Sequence, residues 1–376
     1  MRVLHLFSNF KWTGPAEPAL NLCASLRRAG VEADFACPKG PPGAPPTMIE
    51  AALSLGIEPI TRFRLPKHFN PLVNAMESRT LKRFLDTYNY DIIHCHLDND
   101  HRIALSPAKH KGLPIVRTNY GGLGMVQPKR QKALVKRTRF LIEPSLRALN
   151  HDRETYGFPL GSMKVVHGAI DVHRFDPSRD VFDARDYLGI PEDAFVIGIV
   201  ARLQRHRRYE DFFAVVKRMV EAGKNVHAVV VGRGTYLESV GKMPVRELGL
   251  EDRVHFPGYF ADDLYVGMVK AFSTKVFLVP GSDGTCRAVR EAMAMGKPPV
   301  VADRGMLDEI VDHGVNGLVC DGSPEGLYEA LDRLYARPDA TRAMGAAARE
   351  TAATRYSLEA QAGQVLEVYN EVLATQ

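Results

Sequence analysis

The length and composition of the chain fit a cytosolic protein with two domains. Its 376 residues exceed what one hydrophobic core usually supports, and 45% are hydrophobic and 25% charged, as in ordinary globular proteins. No apolar run approaches the roughly 20 residues of a membrane span, and no secretion signal is visible. The five cysteines are scattered and lack a C-x-x-C pair, which argues against disulfides and zinc knuckles and predicts reduced, buried thiols. The net charge of +5 is mild.

The first half of the chain alternates short apolar runs with helical patterns. We predict a helix over 17–29 and a Pro/Gly-rich loop over 38–46. The predicted strands are 3–7, 33–37, 91–95, 115–118, 140–143 and 164–167. Strands that alternate with helices imply a parallel sheet with right-handed crossovers.

A second α/β series follows the polar segment 171–191, which we predict to be an interdomain linker. We predict a helix over 209–222 and strands over 195–200, 226–231, 254–256, 276–279 and 299–302. The expected domains are 1–175 and 176–356, and a last helix within 357–376 packs back on the first. Ligands of open α/β sheets bind at the carboxyl ends of the strands, so we expect an active site in the cleft between two such domains.

The segment 280–302 carries the strongest motif, Pro-Gly-Ser-Asp-Gly-Thr-Cys-Arg-Ala-Val-Arg-Glu-Ala-Met-Ala-Met-Gly-Lys-Pro-Pro-Val-Val-Ala. We predict a strand that ends at Pro280, a loop of small residues, and a helix that starts near Thr285. Free N–H groups and the positive end of the helix dipole make Gly284, Thr285 and Cys286 a cradle for a pyrophosphate.

Two carboxylates frame this segment, Asp283 in the predicted loop and Glu291 eight residues later on the helix. A carboxylate can accept hydrogen bonds from the vicinal hydroxyls of a ribose. The alternative for Glu291 is a solvated helix residue. The arrangement resembles the donor-binding motif of family-four retaining glycosyltransferases, in which two acidic residues eight apart frame a Gly-rich loop that an Ala-Met-Ala-x-Gly-x-Pro-Val-Val tail follows.

This resemblance, which covers nearly the whole chain, implies the GT-B architecture: two Rossmann-like parallel-sheet domains that face each other across a cleft. It implies that Glu291 holds the ribose of a nucleotide-sugar donor. It also implies that Asp283, which replaces the family's usual Glu, faces the sugar hydroxyls. Transfer with retention and the absence of a metal cofactor are expected on the same basis.

A basic loop, Ala-Arg-Leu-Gln-Arg-His-Arg-Arg, occupies 201–208 after a predicted strand. Arg can grip phosphate oxygens bidentately and stays charged. The loop resembles the family's Gly-Arg-Leu…Lys-Gly segment, in which Arg202 matches the Arg, Arg207 takes the Lys place and Arg208 replaces the Gly. We therefore expect Arg202 and Arg207 to neutralise a leaving diphosphate; for Arg205 and Arg208 a solvated basic turn is the first interpretation.

Glycines follow several predicted strands. Gly232 and Gly234 match the family's Val-Gly-x-Gly turn, and Gly258 matches the Gly before the nucleobase pocket. In the first domain Gly14 corresponds to the family's Gly-Gly-Ala-Glu, where its missing side chain lets the backbone approach the donor. Pro15 replaces the second Gly and removes an N–H donor.

His94 and His96 share one face of a predicted strand. A zinc or manganese site with the nearby Asp98, Asp100 and His101 is one interpretation, and a metal hydrolase is its functional form. The same Asp-x-x-His-x-His pattern occurs without metal in the resembling family, where His96 would line the acceptor side.

Two further departures from the family pattern lie in the first domain. Tyr120 stands where the family often has a His that follows a strand, and it suits hydrogen bonding to the donor sugar better than general-base catalysis, because its ordinary pKa is near ten. His167 replaces the Asn of the family's Asn-Gly-Val-Asp signature.

The run Lys129–Arg139 contains six basic residues and no acidic one. It is either a solvated helix face or a surface that attracts anionic lipid head groups, since basic residues near such membranes contribute about 1 kcal/mol each. Relatives in the family often use lipid-linked or lipopolysaccharide acceptors. Nucleic-acid binding is not expected, because aromatic residues are not interleaved there.

The expected function is therefore transfer of a sugar from a nucleotide sugar to a glycan, lipid-linked or lipopolysaccharide-type acceptor, by a cytosolic enzyme that docks peripherally on the membrane. The alternatives are an epimerase or phosphorylase on the same fold, a secreted sugar-binding protein, for which no signal is visible, and an inactive member that binds sugar nucleotides.

Overall fold

The computed structural model describes residues 1–45, 47–126, 128–280 and 283–375, with the side chains at 128–130, 160 and 283–285 outside that description. The chain forms two compact units. Met1–Ala169 and Leu358–Gln376 make up most of the first, and Ile170–Gly281 and Thr285–Ser357 make up the second. The first unit thus ends six residues before the boundary drawn from the sequence.

The first unit is built around a six-stranded parallel sheet in the order β2-β1-β3-β4-β5-β6. Its strands are β1 (Arg2–Leu6), β2 (Glu32–Ala36), β3 (Ile92–Cys95), β4 (Ile115–Thr118), β5 (Phe140–Glu143) and β6 (Met163–Val165). Its helices before residue 169 are α1 (Ala16–Arg28), α2 (Thr47–Ser54), α3 (Pro71–Thr87), α4 (Asp98–Lys111), α5 (Pro128–Val135) and α6 (Leu146–Tyr156).

The second unit holds another six-stranded parallel sheet, in the order β12-β11-β10-β7-β8-β9. Its strands are β7 (Phe195–Val200), β8 (Val226–Val231), β9 (Val254–Gly258), β10 (Thr274–Phe277), β11 (Pro299–Ala302) and β12 (Leu318–Cys320). Its helices are α7 (Ala184–Leu188), α8 (Tyr209–Glu221), α9 (Met243–Glu247), α10 (Asp262–Lys270), α11 (Asp283–Ala294), α12 (Leu307–Ile310), α13 (Pro324–Ala336) and α14 (Pro338–Arg355).

The last helix, α15 (Leu358–Ala374), belongs to the first unit and packs against α1. Val365, Val368 and Val372 recur at helical spacing on one face of α15 and are buried there with Tyr369. Burying a Val side chain contributes about 1.5–3 kcal/mol. This apolar face explains why the end of the chain returns to the first unit.

Burial follows the alternation of sequence types in both units. Every residue of β8 is buried, because helices cover both faces of a parallel sheet. The helix α8 buries Phe212, Phe213 and Val216 at helical spacing against the sheet. The five cysteines are free and buried, as the sequence predicts. No described helix combines the length and the apolar character that crossing a membrane requires.

The predicted strands 115–118, 140–143, 195–200, 226–231 and 299–302 are observed with those bounds, and β10 begins two residues before its predicted start. The predicted linker 171–191 is wrong as a linker. Phe175, Ala184 and Ile190 are buried in the core of the second unit, and Arg349 donates to the Phe175 carbonyl and to Asp176. The segment 171–191 was misread because its few apolar residues are spaced too irregularly to show the period of a helix or a strand.

Candidate active site

In the second sheet β7 and β10 are parallel neighbours. From β7 the chain adds β8 and β9 on one side, and from β10 it adds β11 and β12 on the other, so the topological switch point lies between β7 and β10. The loop over 201–208 follows β7, and the segment that leads into α11 follows β10. Ligands of open α/β sheets bind at the carboxyl ends of the strands beside such a point. The basic loop and the segment with the predicted phosphate cradle therefore both follow strands beside this point.

Arg202 and Arg207 lie in this loop, with Arg202 exposed and Arg207 half-buried. The Arg207 guanidinium lies 5.9 Å from the ring centroid of Phe277, and its Nε atom is buried without a hydrogen-bond partner among the described residues. Burial lowers the pKa of Arg207, and the nearby Arg202 adds to this effect. Two cations near each other, one with an unused donor, form a site that favours an anion.

Arg205 is exposed over the Tyr236 ring, as expected for a solvated turn. For Arg208 the interpretation as part of a solvated turn is wrong. It is half-buried, and its Nε donates to Asp211 at 2.6 Å. Its φ of 61° lies in the left-handed region that glycine adopts easily, which matches the Gly that the family carries there.

The helix α11 begins at Asp283, two residues before the start predicted from sequence. Asp283 is therefore a first-turn helix residue and not a loop residue, a position that the helix dipole favours for an acidic side chain. The side chains of Asp283, Gly284 and Thr285 lie outside the described residues. Cys286 is buried, so it can serve a ligand only through its backbone N–H.

Glu291 is only 4% exposed, which overturns the alternative of a solvated helix residue. The Tyr265 hydroxyl donates to Oε2 at 2.6 Å, and Arg287 Nε donates to Oε1 at 2.8 Å. Burial and the Glu291 carboxylate raise the pKa of Tyr265, so this hydroxyl stays protonated. Each carboxylate oxygen retains a lone pair, and the side chain is held ready to accept two further hydrogen bonds.

Lys275 of β10 is fully buried beneath α11, a feature that the sequence interpretation missed. Its Nζ donates to the Val276 carbonyl at 3.3 Å. Burial lowers the pKa of Lys275 to about 7, and Glu291 opposes the shift. A lysine directly before the apolar run 276–279, in a strand that must be buried, is the sequence signal for this position.

Gly232 and Gly234 hold the loop after β7 in place. A Cβ at Gly232 would overlap the Ala201 carbonyl oxygen, and one at Gly234 would overlap the Leu203 carbonyl oxygen. Gly232 also has φ 152°, and Gly258 has φ 96° with open space around a built Cβ. Gly232 and Gly234 are therefore required because their backbone lies against the arginine loop. Gly258 is required because its backbone adopts a positive φ.

The first sheet has its switch point between β1 and β3. The segment with Gly14 follows β1, and His96 follows β3 directly. A Cβ at Gly14 would meet no protein atom within 4 Å. Packing within the protein therefore does not require a glycine here, whereas a bound ligand close to the backbone would. Tyr120 is half-buried after β4, and its hydroxyl lies 2.7 Å from His96 Nδ1.

His94 lies in β3 and His96 directly after it, and their side chains do lie together, with the rings stacked at 4.5 Å between centroids. His5 of β1, opposite His94 in the sheet register, stacks on both at 4.9 and 5.2 Å. Burial lowers the pKa of His5 to about 3 and brings those of His94 and His96 well below their ordinary value. All three rings are therefore neutral.

The other residues of the metal hypothesis are engaged elsewhere. Asp98 accepts from Arg117 at 2.9 Å, Asp100 accepts from the backbone N–H of Ser8, and His101 lies 3.3 Å from Thr138 Oγ1. Among the described residues, the only group of three or more His, Cys, Asp or Glu close enough to hold a metal ion is His5 with His94 and His96.

His167 belongs to the first unit, where its Nδ1 lies 2.9 Å from the Pro144 carbonyl oxygen. Sequence reasoning missed Tyr265, Arg287 and His5. Arg287 stands four residues before Glu291, a spacing at which helix side chains meet. His5 is the one polar residue within the apolar run 3–7, and it is paired with His94 in the sheet register. Tyr265 carries no sequence signal for its contact.

Two α/β units with parallel six-stranded sheets, each with predicted site residues beside its switch point, are typical of the GT-B class. The family "Glycosyl transferases group 1" matches residues 180–351, and "Glycosyltransferase Family 4" matches residues 13–174. The chain belongs to these group 1 glycosyltransferases and is a transferase enzyme.

Individual proteins agree with the family. The chain is 27% identical over 88% of its length to the D-inositol 3-phosphate glycosyltransferase of Saccharomonospora viridis, of which it covers 81%. It is 26% identical over 76% of its length to the N-acetyl-alpha-D-glucosaminyl L-malate synthase of Bacillus anthracis, covering 76% of that protein. The crystal structure of HepE of Anabaena in complex with UDP has a TM-score of 0.80 at 20% identity, with 98% of this chain and all of that chain covered.

Proposed function

We propose that this glycosyltransferase moves a sugar from a nucleotide-sugar donor, with retention and without a metal, to a hydroxyl of a glycan or lipid-linked acceptor. The observation that carries the proposal is the grouping at the β7–β10 switch point. There α11 from Thr285 onward, the buried and oriented Glu291 and the unused donor of Arg207 lie in one unit. These groups suit a pyrophosphate attached to a ribose.

Related proteins support the choice of donor and of acceptor chemistry. HepE of Anabaena has been crystallised with UDP and with UDP-glucose. The names of the sequence relatives specify inositol 3-phosphate and malate, which both offer a hydroxyl to a sugar. A lipopolysaccharide outer core galactosyltransferase shares the fold at a TM-score of 0.74.

The proposed mechanism assigns each group a task. The backbone N–H groups of Gly284, Thr285 and Cys286 bind the diphosphate, and Arg202 and Arg207 neutralise the charge that develops on it as the sugar leaves. Donors fixed in advance toward such charge contribute several kcal/mol, about 3–4 for a single donor in a measured case. The acceptor hydroxyl loses its proton to the departing phosphate.

The remaining predicted residues position the two sugars. Glu291 binds the ribose hydroxyls, and Asp283 orients the hydroxyls of the donor sugar. Gly14 and Tyr120 are assigned to contacts with the acceptor and the reacting sugar. His96 is fully buried, so it acts on them through its contact with Tyr120. Retention places the new bond on the face that the diphosphate leaves, which suits a reaction without a protein nucleophile.

The first test is calorimetry with UDP-, GDP- and ADP-sugars. Glu291→Gln keeps the shape of the side chain but halves its acceptors, and Arg202→Ala removes one cation; both are expected to weaken donor binding at least tenfold. Arg205→Ala, in the same loop, is the matched control and should bind as the wild type does. If no nucleotide sugar binds the wild-type chain, the transferase proposal for this site is wrong.

Turnover separates the remaining alternatives. Product with the anomeric configuration of the donor, formed only when an acceptor is present and unchanged by EDTA, supports the proposal. Isomerised donor without acceptor would indicate an epimerase, and a requirement for inorganic phosphate would indicate a phosphorylase. Loss of activity in EDTA that zinc or manganese restores would contradict the metal-free mechanism.

We propose that the reaction takes place at a membrane surface to which the protein binds. Lys132 in α5 and Lys136 and Arg137 directly after it are exposed. Leu123 and Val126, just before α5, are 62% and 71% exposed. Exposed apolar residues next to cations suit an interface with anionic lipid. Cosedimentation with vesicles rich in phosphatidylglycerol, but not with neutral vesicles, is expected. Equal binding to both would contradict it. Lys129 and Arg130 lie outside the described side chains.

A further inference from the structure

Six buried or half-buried side chains of the first unit form a continuous series of polar contacts, of which the proposed mechanism uses only the last two members, His96 and Tyr120. It starts in β4, passes through all three stacked histidines and the last helix, and ends at Tyr120. The links are Thr118 Oγ1 to His94 Nε2 at 2.7 Å, His94 Nδ1 to Tyr369 OH at 2.5 Å, Tyr369 OH to His5 Nε2 at 3.5 Å, His5 Nδ1 to His96 Nε2 at 3.0 Å, and His96 Nδ1 to Tyr120 OH at 2.7 Å.

The protons in this series can be counted. The three rings are neutral, so each carries one N–H, and each hydroxyl carries one O–H. Five links therefore use five of six protons, and only two arrangements leave every link with one proton. Either each ring is protonated on Nδ1 and Tyr120 receives a hydrogen bond from His96, or each ring is protonated on Nε2 and Tyr120 donates to His96.

We propose that this series, which we call the histidine–tyrosine chain, fixes the proton of Tyr120 and that Tyr369 is its central positioning residue. The proposal rests on the proposed function, in which Tyr120 faces the reacting sugars. Because the acceptor hydroxyl gives its proton to the departing phosphate, the hydroxyl that Tyr120 orients is one of the donor sugar, and that hydroxyl needs a neighbour that accepts its hydrogen bond. Tyr120 accepts from it only when its own O–H points to His96, which is the arrangement with all three rings protonated on Nε2.

No proton travels along the chain in this proposal. Its effect is on orientation, because contacts in a buried polar series reinforce one another and a reversal at one link forces a reversal at all. Tyr369 therefore lets α15, far away in sequence, determine the hydrogen-bond polarity of a residue in the candidate active site.

A metal bound by His5, His94 and His96 is the competing interpretation of the same residues. The interplanar angles of 13–30° place the three rings in a stack. Ligands of one ion point their ring edges toward a common centre, and each of these rings already directs both nitrogens to another polar group. The stacked geometry therefore fits the hydrogen-bonded series better.

Tyr369→Phe cuts the chain and keeps the buried ring. His94 Nδ1 and His5 Nε2 then lose their partner, and a buried N–H without a partner is rarer in proteins than an underused acceptor. His94 should keep its proton on Nε2, toward Thr118, whereas His5 should move its proton to Nδ1, toward His96. His96 follows, and Tyr120 is left to donate outward.

The test uses the full-length protein labelled with nitrogen-15 in its histidines. Nuclear magnetic resonance should find His5, His94 and His96 all protonated on Nε2 in the wild type. In Tyr369→Phe only His94 should remain so. Tyr90→Phe is the control, because it removes another buried hydroxyl of the same unit, which donates to Asp34, and it should leave all three tautomers unchanged. Mixed or Nδ1 tautomers in the wild type would overturn the proposal. Added zinc that changes the nitrogen-15 chemical shifts of all three rings would also overturn it.

Kinetics supply the second arm. Tyr369→Phe should lower kcat/KM for the nucleotide-sugar donor about tenfold, the size of one hydrogen bond, while the affinity for the nucleoside diphosphate alone is unchanged. An unchanged kcat/KM together with shifted tautomers would overturn the link to Tyr120. The tautomers are measured without substrate, so an inactive wild type with the expected tautomers would contradict the proposed function and not the chain itself.

Discussion

The buried lysine of the second unit gives the most quantitative prediction. Lys275 has no exposed surface, and burial lowers its pKa from the ordinary 10.5 to about 7. The unfolded chain therefore binds more protons than the folded protein between pH 7 and 10.5, and the free energy of unfolding rises with pH across that window. The cost of folding with this residue is about 4 kcal/mol at pH 7, about 2 at pH 9 and about 1 at pH 10.

Replacing Lys275 with Met removes this cost and nearly conserves the volume, because both side chains are unbranched. We expect Lys275→Met to be more stable than the wild type at pH 7, by up to about 4 kcal/mol, and the difference to shrink steadily toward pH 10. Repacking around the thioether will subtract from the gain, as volume-conserving changes cost up to about 1.5 kcal/mol.

Denaturant unfolding followed by circular dichroism at four pH values measures this difference. Comparing variant with wild type at each pH cancels the groups that both share, including the buried thiols. Lys242→Met replaces an exposed lysine and should show no such trend. A Lys275→Met protein less stable than the wild type at pH 7, or a difference that is constant with pH, would show that the amine is charged and well paired in the folded chain.

Two other substitutions test the donor site. Gly232→Ala should cost 3 kcal/mol or more, about 1–3 of it from a backbone conformation that side chains rarely adopt and the rest from overlap with Ala201; calorimetric melting measures it, and a melting temperature within a degree of the wild type would contradict the close approach. Tyr265→Phe leaves Glu291 with Arg287 alone and should weaken donor binding about threefold to tenfold, with a loss of about 1 kcal/mol in stability. Unchanged donor affinity would show that Tyr265 does not orient Glu291.

The strands were the part of the fold that could be predicted well. Runs such as Phe195–Val200 and Val226–Val231 are continuous apolar segments, because helices cover both faces of a parallel sheet. The short strand β12 was missed because its three residues are too few to show a period. The segment 171–191 misled because its buried residues are isolated among polar ones, and their partners lie far along the chain.

The candidate site divides in the same way. The spacing of Asp283 and Glu291 and the basic loop over 201–208 are local patterns, so they could be read from sequence. The partners of Glu291 and the contact between His94 and Tyr369 join residues that only the tertiary fold brings together; the last pair is 275 positions apart. No local propensity encodes such a contact, and side-chain networks are therefore the least predictable part of the molecule.

Arg208 connects the sequence pattern to the energetics of the backbone. It precedes α8 with φ 61° and ψ 38°, a conformation that costs a residue with a side chain about 1–2 kcal/mol and costs glycine little. Arg208→Ala keeps that cost and loses the ion pair with Asp211, whereas Arg208→Gly loses the same ion pair and removes the cost. Against this gain, the greater conformational freedom of glycine in the unfolded chain lowers the stability of the glycine variant by about 0.4–1 kcal/mol.

The glycine variant should therefore equal or exceed the alanine variant in stability, by up to about 1 kcal/mol, although glycine is about 1 kcal/mol worse than alanine inside helices. Chemical denaturation of the two proteins side by side measures the difference. An alanine variant clearly more stable than the glycine variant would show that this backbone is not held in the left-handed region, and that the loop carrying Arg207 follows another path.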